Sequence, residues 1–190
     1  PVGEILRQSP ALKGFIIAAF FWTLGINIAS PYFNVYMVTH LGGNEAIVGA
    51  TAAISGVFTL VGQMVFGKLV DRKGSVWVFV VCAVPIIFLP SFWAFYTNAW
   101  QVSYNNIMGG FFWAGFNLAN FNLLLLLTPD DQRARAVALY QTVVFTAAVI
   151  GPIVGGYVAE TFDYRLIFWL SSVGRAIGLA SFLIFGLRAA

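Results

Sequence analysis

The chain has 190 residues, 60% of them hydrophobic and 9% charged, with a formal net charge of +3. Soluble domains carry about 25% charged residues, so these few charges cannot clothe a surface in water, and the surplus apolar surface must meet lipid. The charge is too diffuse for binding nucleic acid, and a single cysteine, Cys82, excludes an internal disulfide and offers no metal-ligand spacing.

A membrane-spanning helix needs about 20 mostly apolar residues. Six segments meet that requirement, at 14–38, 44–66, 76–96, 100–127, 134–159 and 166–187. Residues 1–13 are expected to form a cytoplasmic lead-in, and 14–188 one six-helix transmembrane domain. The chain starts at Pro1 without a signal-peptide pattern, which suggests a fragment or a processed form. The glycines and asparagine of "THLGGNE" mark the first turn. Pro85 and Pro90 kink the third helix, and neighbouring helices are left to satisfy the carbonyls they free. A short "TNA" link makes the third and fourth helices a tight hairpin.

Arg7, Lys13, Lys68, Arg72, Lys73, Arg133, Arg135 and Arg188 all fall on one side of this arrangement, whereas the opposite loops offer Arg165 alone. Basic residues accumulate on the cytoplasmic side. Both termini are therefore expected in the cytoplasm of a multi-pass integral membrane protein, with the bacterial cytoplasmic membrane as its location.

Polar groups inside the bilayer are costly unless paired or wetted. Asn27, Ser30 and Asn34 form one stripe of the first helix, which Pro31 interrupts, and Asn106, Trp113, Asn117 and Asn120 form one stripe of the fourth. One reading is a surface that binds a neutral or zwitterionic small molecule through amides and an aromatic wall. The other is hydrogen bonding between helices. Tyr32, Tyr36, Tyr140 and Gln141 are further lining candidates, although tyrosines at helix ends also serve as interfacial anchors. Gly151, Pro152, Gly155 and Gly156 put small residues on adjacent turns of the fifth helix, favouring close packing or a bend. Arg175, inside "GRAIG", needs a partner: an anionic group, water reached by snorkelling, or backbone carbonyls. Glu4, Glu45, Asp71, Asp130, Asp131, Glu160, Asp163 and His40 all map to loops or helix ends, leaving no carboxylate at mid-membrane to carry a coupled proton.

Two charged segments carry a resemblance. "GKLVDRKG", with Gly67, Asp71, Arg72 and Gly74, resembles the cytoplasmic loop motif of the major facilitator superfamily, with Ser75 departing from its final basic residue. "PDDQRARAVAL", with Arg133, and the later "GPIVGG" are similar to segments that the family places after a half's fourth helix and in its fifth. The resemblance covers nearly the whole chain. It implies an all-α membrane fold, one six-helix half bundle made of two inverted three-helix repeats, whose first and fourth helices line a cavity near mid-bilayer. It also implies a secondary active or facilitative carrier of a small solute working by alternating access, with the missing half or a second copy as partner and no cofactor or metal.

In that family Asp71 and Arg72 would belong to a cytoplasmic latch, the carboxylate favoured by a helix N-terminus. Amino-terminal halves commonly carry an arginine four residues ahead of a glycine in the fourth helix, where this chain has Asn105 before Gly109, so the carboxy-terminal half is expected. An intramembrane serine protease would need a histidine after "AISG" at residues 53–56, and none occurs beyond His40. No phosphate-cradling GxxxxGK[ST] loop is present. The competing class is a non-transporting receptor or assembly module.

Overall fold

Where helices must supply their own backbone hydrogen bonds, long uninterrupted helices are the solution available to an apolar chain. The computed structural model describes residues 9–186 and contains six of them: α1 (Pro10–Thr39), α2 (Glu45–Lys73), α3 (Ser75–Trp93), α4 (Val102–Leu126), α5 (Arg133–Thr161) and α6 (Tyr164–Ser181), the last continuing as a π-helical turn over Phe182–Gly186. Most of the expected lead-in, with Glu4 and Arg7, and the final residues with Arg188 lie outside the described residues.

Two boundaries differ from the hydropathy reading for physical reasons. α1 starts at Pro10 because Ser9 caps it, its hydroxyl accepting the Leu12 N–H at 3.3 Å, with proline filling the first position. Ser9 Oγ also donates to the Leu127 carbonyl at 3.2 Å, tying this start to the end of α4. α2 continues to Lys73 rather than ending at residue 66, so the "GKLVDRK" residues are helical instead of forming a loop. Charge ends a hydropathy window, but it does not end a hydrogen-bond ladder. The chain reverses at Gly74, whose φ of 83° suits glycine and disfavours other residues. That one residue caps the end of α2 and the start of α3.

Five of the six helices are long and apolar enough to cross a membrane. α4 is not among them: its 25 residues would span about 37 Å at 1.5 Å each, but Asn105, Asn106, Asn117, Asn120 and Asn122 lower its apolarity.

α1 packs against α5 and α6, α4 packs against α2 and α3, and α3 meets α6. Exchanging α1–α3 with α4–α6 maps this pattern onto itself. Because successive helices alternate in direction, the two triplets are inverted repeats. α2 and α5 stay at the margin, α2 burying only Thr51, Gly62 and Phe66. The end carrying the α2–α3 and α4–α5 turns is filled with aromatic rings, Phe79 lying 4.6 Å from Phe182 and 4.8 Å from Phe116 between centroids.

Lipid gives helices little hydrophobic reason to associate, so close backbone approach has to hold them. In the α1–α6 seam, a Cβ on Gly25 would stand 2.6 Å from the Arg175 nitrogen, and one on Gly174 would stand 2.7 Å from the Gly25 Cα. Gly49, by contrast, has nothing within 4 Å. Gly25→Val is expected to destabilise the protein by about 1–3 kcal/mol through overpacking, whereas Gly49→Ala raises stability by up to about 1 kcal/mol through helix propensity. Thermal unfolding of the two variants in detergent checks the opposite signs.

Candidate binding cavity

The unequal packing leaves a cavity of about 430 Å³ between α1, α2, α3, α4 and α6. α1 contributes Phe33, Asn34 and Met37; α2 contributes Val48, Thr51, Ala52 and Ser55; α3 contributes Leu89, Pro90 and Trp93. α4 adds Val102, Asn105, Asn106, Gly109 and Trp113, and α6 adds Arg175. These positions lie towards the α1–α2 and α3–α4 turns, the end of the bundle away from Lys68, Arg72, Lys73, Arg133 and Arg135.

The cavity wall depends on a proline. Pro90 has no N–H, so the Ile86 carbonyl one turn earlier lacks its helical donor. Arg175 Nη1 donates to that oxygen at 3.0 Å, bonding α6 to α3. The arginine is 3% exposed, and its Nε is buried with no partner. Its guanidinium carbon lies 5.8 Å from the centre of the Trp113 ring, within cation–π range. Insertion scales put an arginine at mid-membrane at about 2.5–3.5 kcal/mol, and one carbonyl bond with one ring face offsets part of that. One turn before Arg175, Ser172 and Ser91 share a buried hydroxyl–hydroxyl bond of 2.8 Å across the same seam. Asn105, in the amide orientation its neighbours require, donates to the Leu89 carbonyl at 3.0 Å and accepts from Trp93 Nε1 at 3.0 Å. It therefore holds the α3 wall in place.

The polar stripes divide into two groups. Asn27 donates to the Thr23 carbonyl at 2.9 Å and faces the α5 seam, where a Cβ on Gly151 would come within 2.5 Å of the Asn27 Cβ. Asn106 donates to the Thr51 carbonyl at 2.9 Å, joining α4 to α2 while lining the cavity. Asn120 donates to Tyr140 Oη at 2.8 Å, away from the cavity. In contrast, Ser30, Asn34 and Asn117 are exposed on the bundle and make no side-chain hydrogen bond within the described residues. Only Asn34, Asn106 and Trp113 of the seven stripe residues border the cavity. Tyr32 donates to the Pro152 carbonyl at 3.0 Å, Tyr36 is buried among rings, and Gln141 is exposed. Gly151 and Gly155 face the α1 backbone, while Gly156 meets the Tyr32 hydroxyl.

At the opposite end, Gly67, Asp71 and Arg72 sit on the last turns of α2, with Asp71 and Arg72 exposed and without an ion pair among the described residues. Asp71 is thus at a helix C-terminus, where α2's own dipole disfavours a carboxylate, and not at the N-terminus expected for a latch. Arg133 pairs with its neighbour Asp130 at 2.8 Å instead of with the α2 motif, and both side chains are solvent-exposed, which makes the pair weak.

Residues 15–189 match the sequence profile of the Major Facilitator Superfamily. The chain is 26% identical over 167 residues to the multidrug resistance protein MdtG of Dickeya zeae, covering 83% of this chain and 39% of that protein. It is 25% identical over 162 residues to the multi-drug resistance efflux pump PmrA of Streptococcus pneumoniae, covering 83% and 40%. Against a Na(+), Li(+), K(+)/H(+) antiporter of Planococcus maritimus it is 21% identical over 185 residues, covering 93% and 42%. The chain thus spans about two fifths of the length of these curated relatives.

The proline–arginine arrangement gives a specific coupling. Arg175→Met alone leaves the Ile86 carbonyl buried and unpaired, at a cost of about 1–3 kcal/mol. Pro90→Ala restores a helical donor to that carbonyl, so the double variant is expected to be more stable than the sum of the single effects by about 1 kcal/mol. A double-mutant cycle of unfolding in detergent checks this, and strict additivity contradicts it.

Proposed function

The chain belongs to the Major Facilitator Superfamily, and from that premise we propose that it forms one six-helix half, the carboxy-terminal one, of a carrier that moves a small solute by alternating access. The observation that carries the proposal is the cavity of about 430 Å³, walled by amides, hydroxyls, tryptophans and a buried arginine. A space of that size and mixed chemistry suits a small molecule held by a few placed polar groups.

Two further features support it. Ser30, Asn34 and Asn117 are exposed with no internal partner, and polar side chains on spanning helices favour a wetted route over hydrocarbon. α2 and α5 leave large apolar residues uncovered, among them Met64 at 71% and Ile153 at 68% exposure. The second half of the carrier, or a second copy of this chain, would cover these faces and close the route from the other side. Asp71 and Arg72 stand clear of this half and would find their latch partners in that remainder. Both termini would be cytoplasmic and the location the bacterial cytoplasmic membrane, with the cavity on the outer side. The name of PmrA, an efflux pump, suggests efflux as the direction. Coupling, whether to protons or to none, would depend on groups in the rest of the carrier, and the reading includes no catalytic step.

The test is flux by the full-length protein in proteoliposomes, using anionic, neutral and cationic fluorescent dyes. Saturable flux of at least one dye is expected, lowered about fivefold or more by Asp71→Ala with insertion intact. Undiminished flux in that variant removes the latch. An absence of flux for every dye removes the carrier in favour of a receptor or assembly module.

A further inference from the structure

We propose that the cavity recognises a small organic anion, with the guanidinium of Arg175 as its counter-charge. The proposal deepens the carrier reading and rests on it only in treating the bound anion as cargo.

A buried arginine in lipid normally has its charge matched by a carboxylate or reached by water. Arg175 is 3% exposed, and no ion pair reaches it among the described residues. The Ile86 carbonyl occupies Nη1, and the Trp113 face stabilises the cation without neutralising it. A guanidinium has five N–H donors; the carbonyl uses one, and Nε is buried without a partner. Arg175 lines the cavity, and a positively charged guanidinium with N–H groups left over there suits a carboxylate.

The rest of the wall limits what is attached to that carboxylate. Phe33, Trp93 and Trp113 provide flat apolar surface, and Asn34 has a free amide at the rim. Trp93 Nε1 and the Asn106 Nδ2 are already engaged by Asn105 and the Thr51 carbonyl, so the ligand body meets these rings together with aliphatic side chains such as Leu89 and Val102 and the Ser55 side chain. The cavity volume restricts that body to about one or two rings. An inorganic anion would satisfy the arginine but leave the aromatic wall unused.

The sequence shows a charge in a spanning helix; the structure adds that its partner is incomplete and that it borders a cavity. The bond to Ile86 fixes the direction of the group. Pinned through Nη1 to α3 and lying over the Trp113 ring, the guanidinium has little freedom to snorkel to either interface.

Isothermal titration calorimetry of the full-length protein in detergent at neutral pH tests the proposal with benzoate, its uncharged isostere benzamide, and chloride. Benzoate is expected to bind saturably and at least about tenfold more tightly than benzamide, and equimolar chloride is not expected to displace it. Arg175→Gln should abolish the preference for benzoate, and Arg175→Lys should retain part of it. Equal binding of benzoate and benzamide, binding of neither at millimolar concentration, displacement by chloride, or a preference that survives Arg175→Gln would each overturn the proposal. Where Arg175→Gln does not fold, the wild-type comparison of benzoate with benzamide decides. Dye flux without an anion preference overturns this inference alone. An anion preference without flux of any dye preserves the site and removes the carrier.

Discussion

Inside a bilayer every backbone carbonyl needs a donor from the protein, and at one of the intrahelical prolines the missing donor is supplied by another helix. Pro90 withdraws the donor for Ile86, and Arg175 on α6 replaces it at 3.0 Å. Two features that would each be costly alone, a freed carbonyl and a buried cation, partly offset one another. The bond also fixes where α6 sits along α3, which the buried Ser91–Ser172 contact reinforces one turn away.

That bond depends on how closely α1 and α6 approach. Gly25 lies directly against the backbone nitrogen of Arg175, and Gly174 lies against Gly25. With a larger residue at either position, α6 would move outward and take the guanidinium away from Ile86 and Trp113. Packing in one seam therefore sets the electrostatics of a cavity that faces a different set of helices. Gly151 and Gly155 likewise bring α5 against α1, and Gly62 and Gly110 bring α2 against α4, so small residues close the matching seam in both repeats. α3 and α6, the third helices of the two repeats, complete this scaffold by meeting each other.

Much of the fold was legible in the sequence. Hydropathy reveals six helices, the basic residues define one end, and "GKLVDRKG" and "GPIVGG" point to the family that the profile match over residues 15–189 establishes. The helix boundaries were less legible, since hydropathy reports the medium around a helix while hydrogen bonding decides where it stops, as at Gly74. The site was only partly legible. Helical periodicity puts Asn27, Ser30 and Asn34 on one stripe, but it cannot distinguish a residue facing a neighbouring helix from one facing an opening; Gly151, 124 positions further along the chain than Asn27, makes that distinction. Asn106 and Asn120 find partners on other helices for the same reason. Thr51, Ser55, Phe33 and Trp93 carry no signal that separates them from ordinary helix residues. Arg175 was visible as a charge in need of a partner, and Pro90 as a residue that frees a carbonyl. Only the fold brings donor and acceptor, 89 residues apart, together.

The polar faces of α1 and α4 have to border water, while Asn27 is half-buried against α5. Cys82 is the single thiol of these 190 residues and is buried, so cysteines placed in a background cleared of Cys82 and of any thiol in the rest of the protein report on their own surroundings. Reaction of Asn34→Cys, Asn117→Cys and Asn27→Cys with a membrane-impermeant thiol reagent, in the full-length protein in membranes, is the most direct measurement. Fast labelling is expected at 34 and 117 and much slower labelling at 27. Protection of 34 and 117 in every conformation, or labelling of 27 as fast as theirs, contradicts the account.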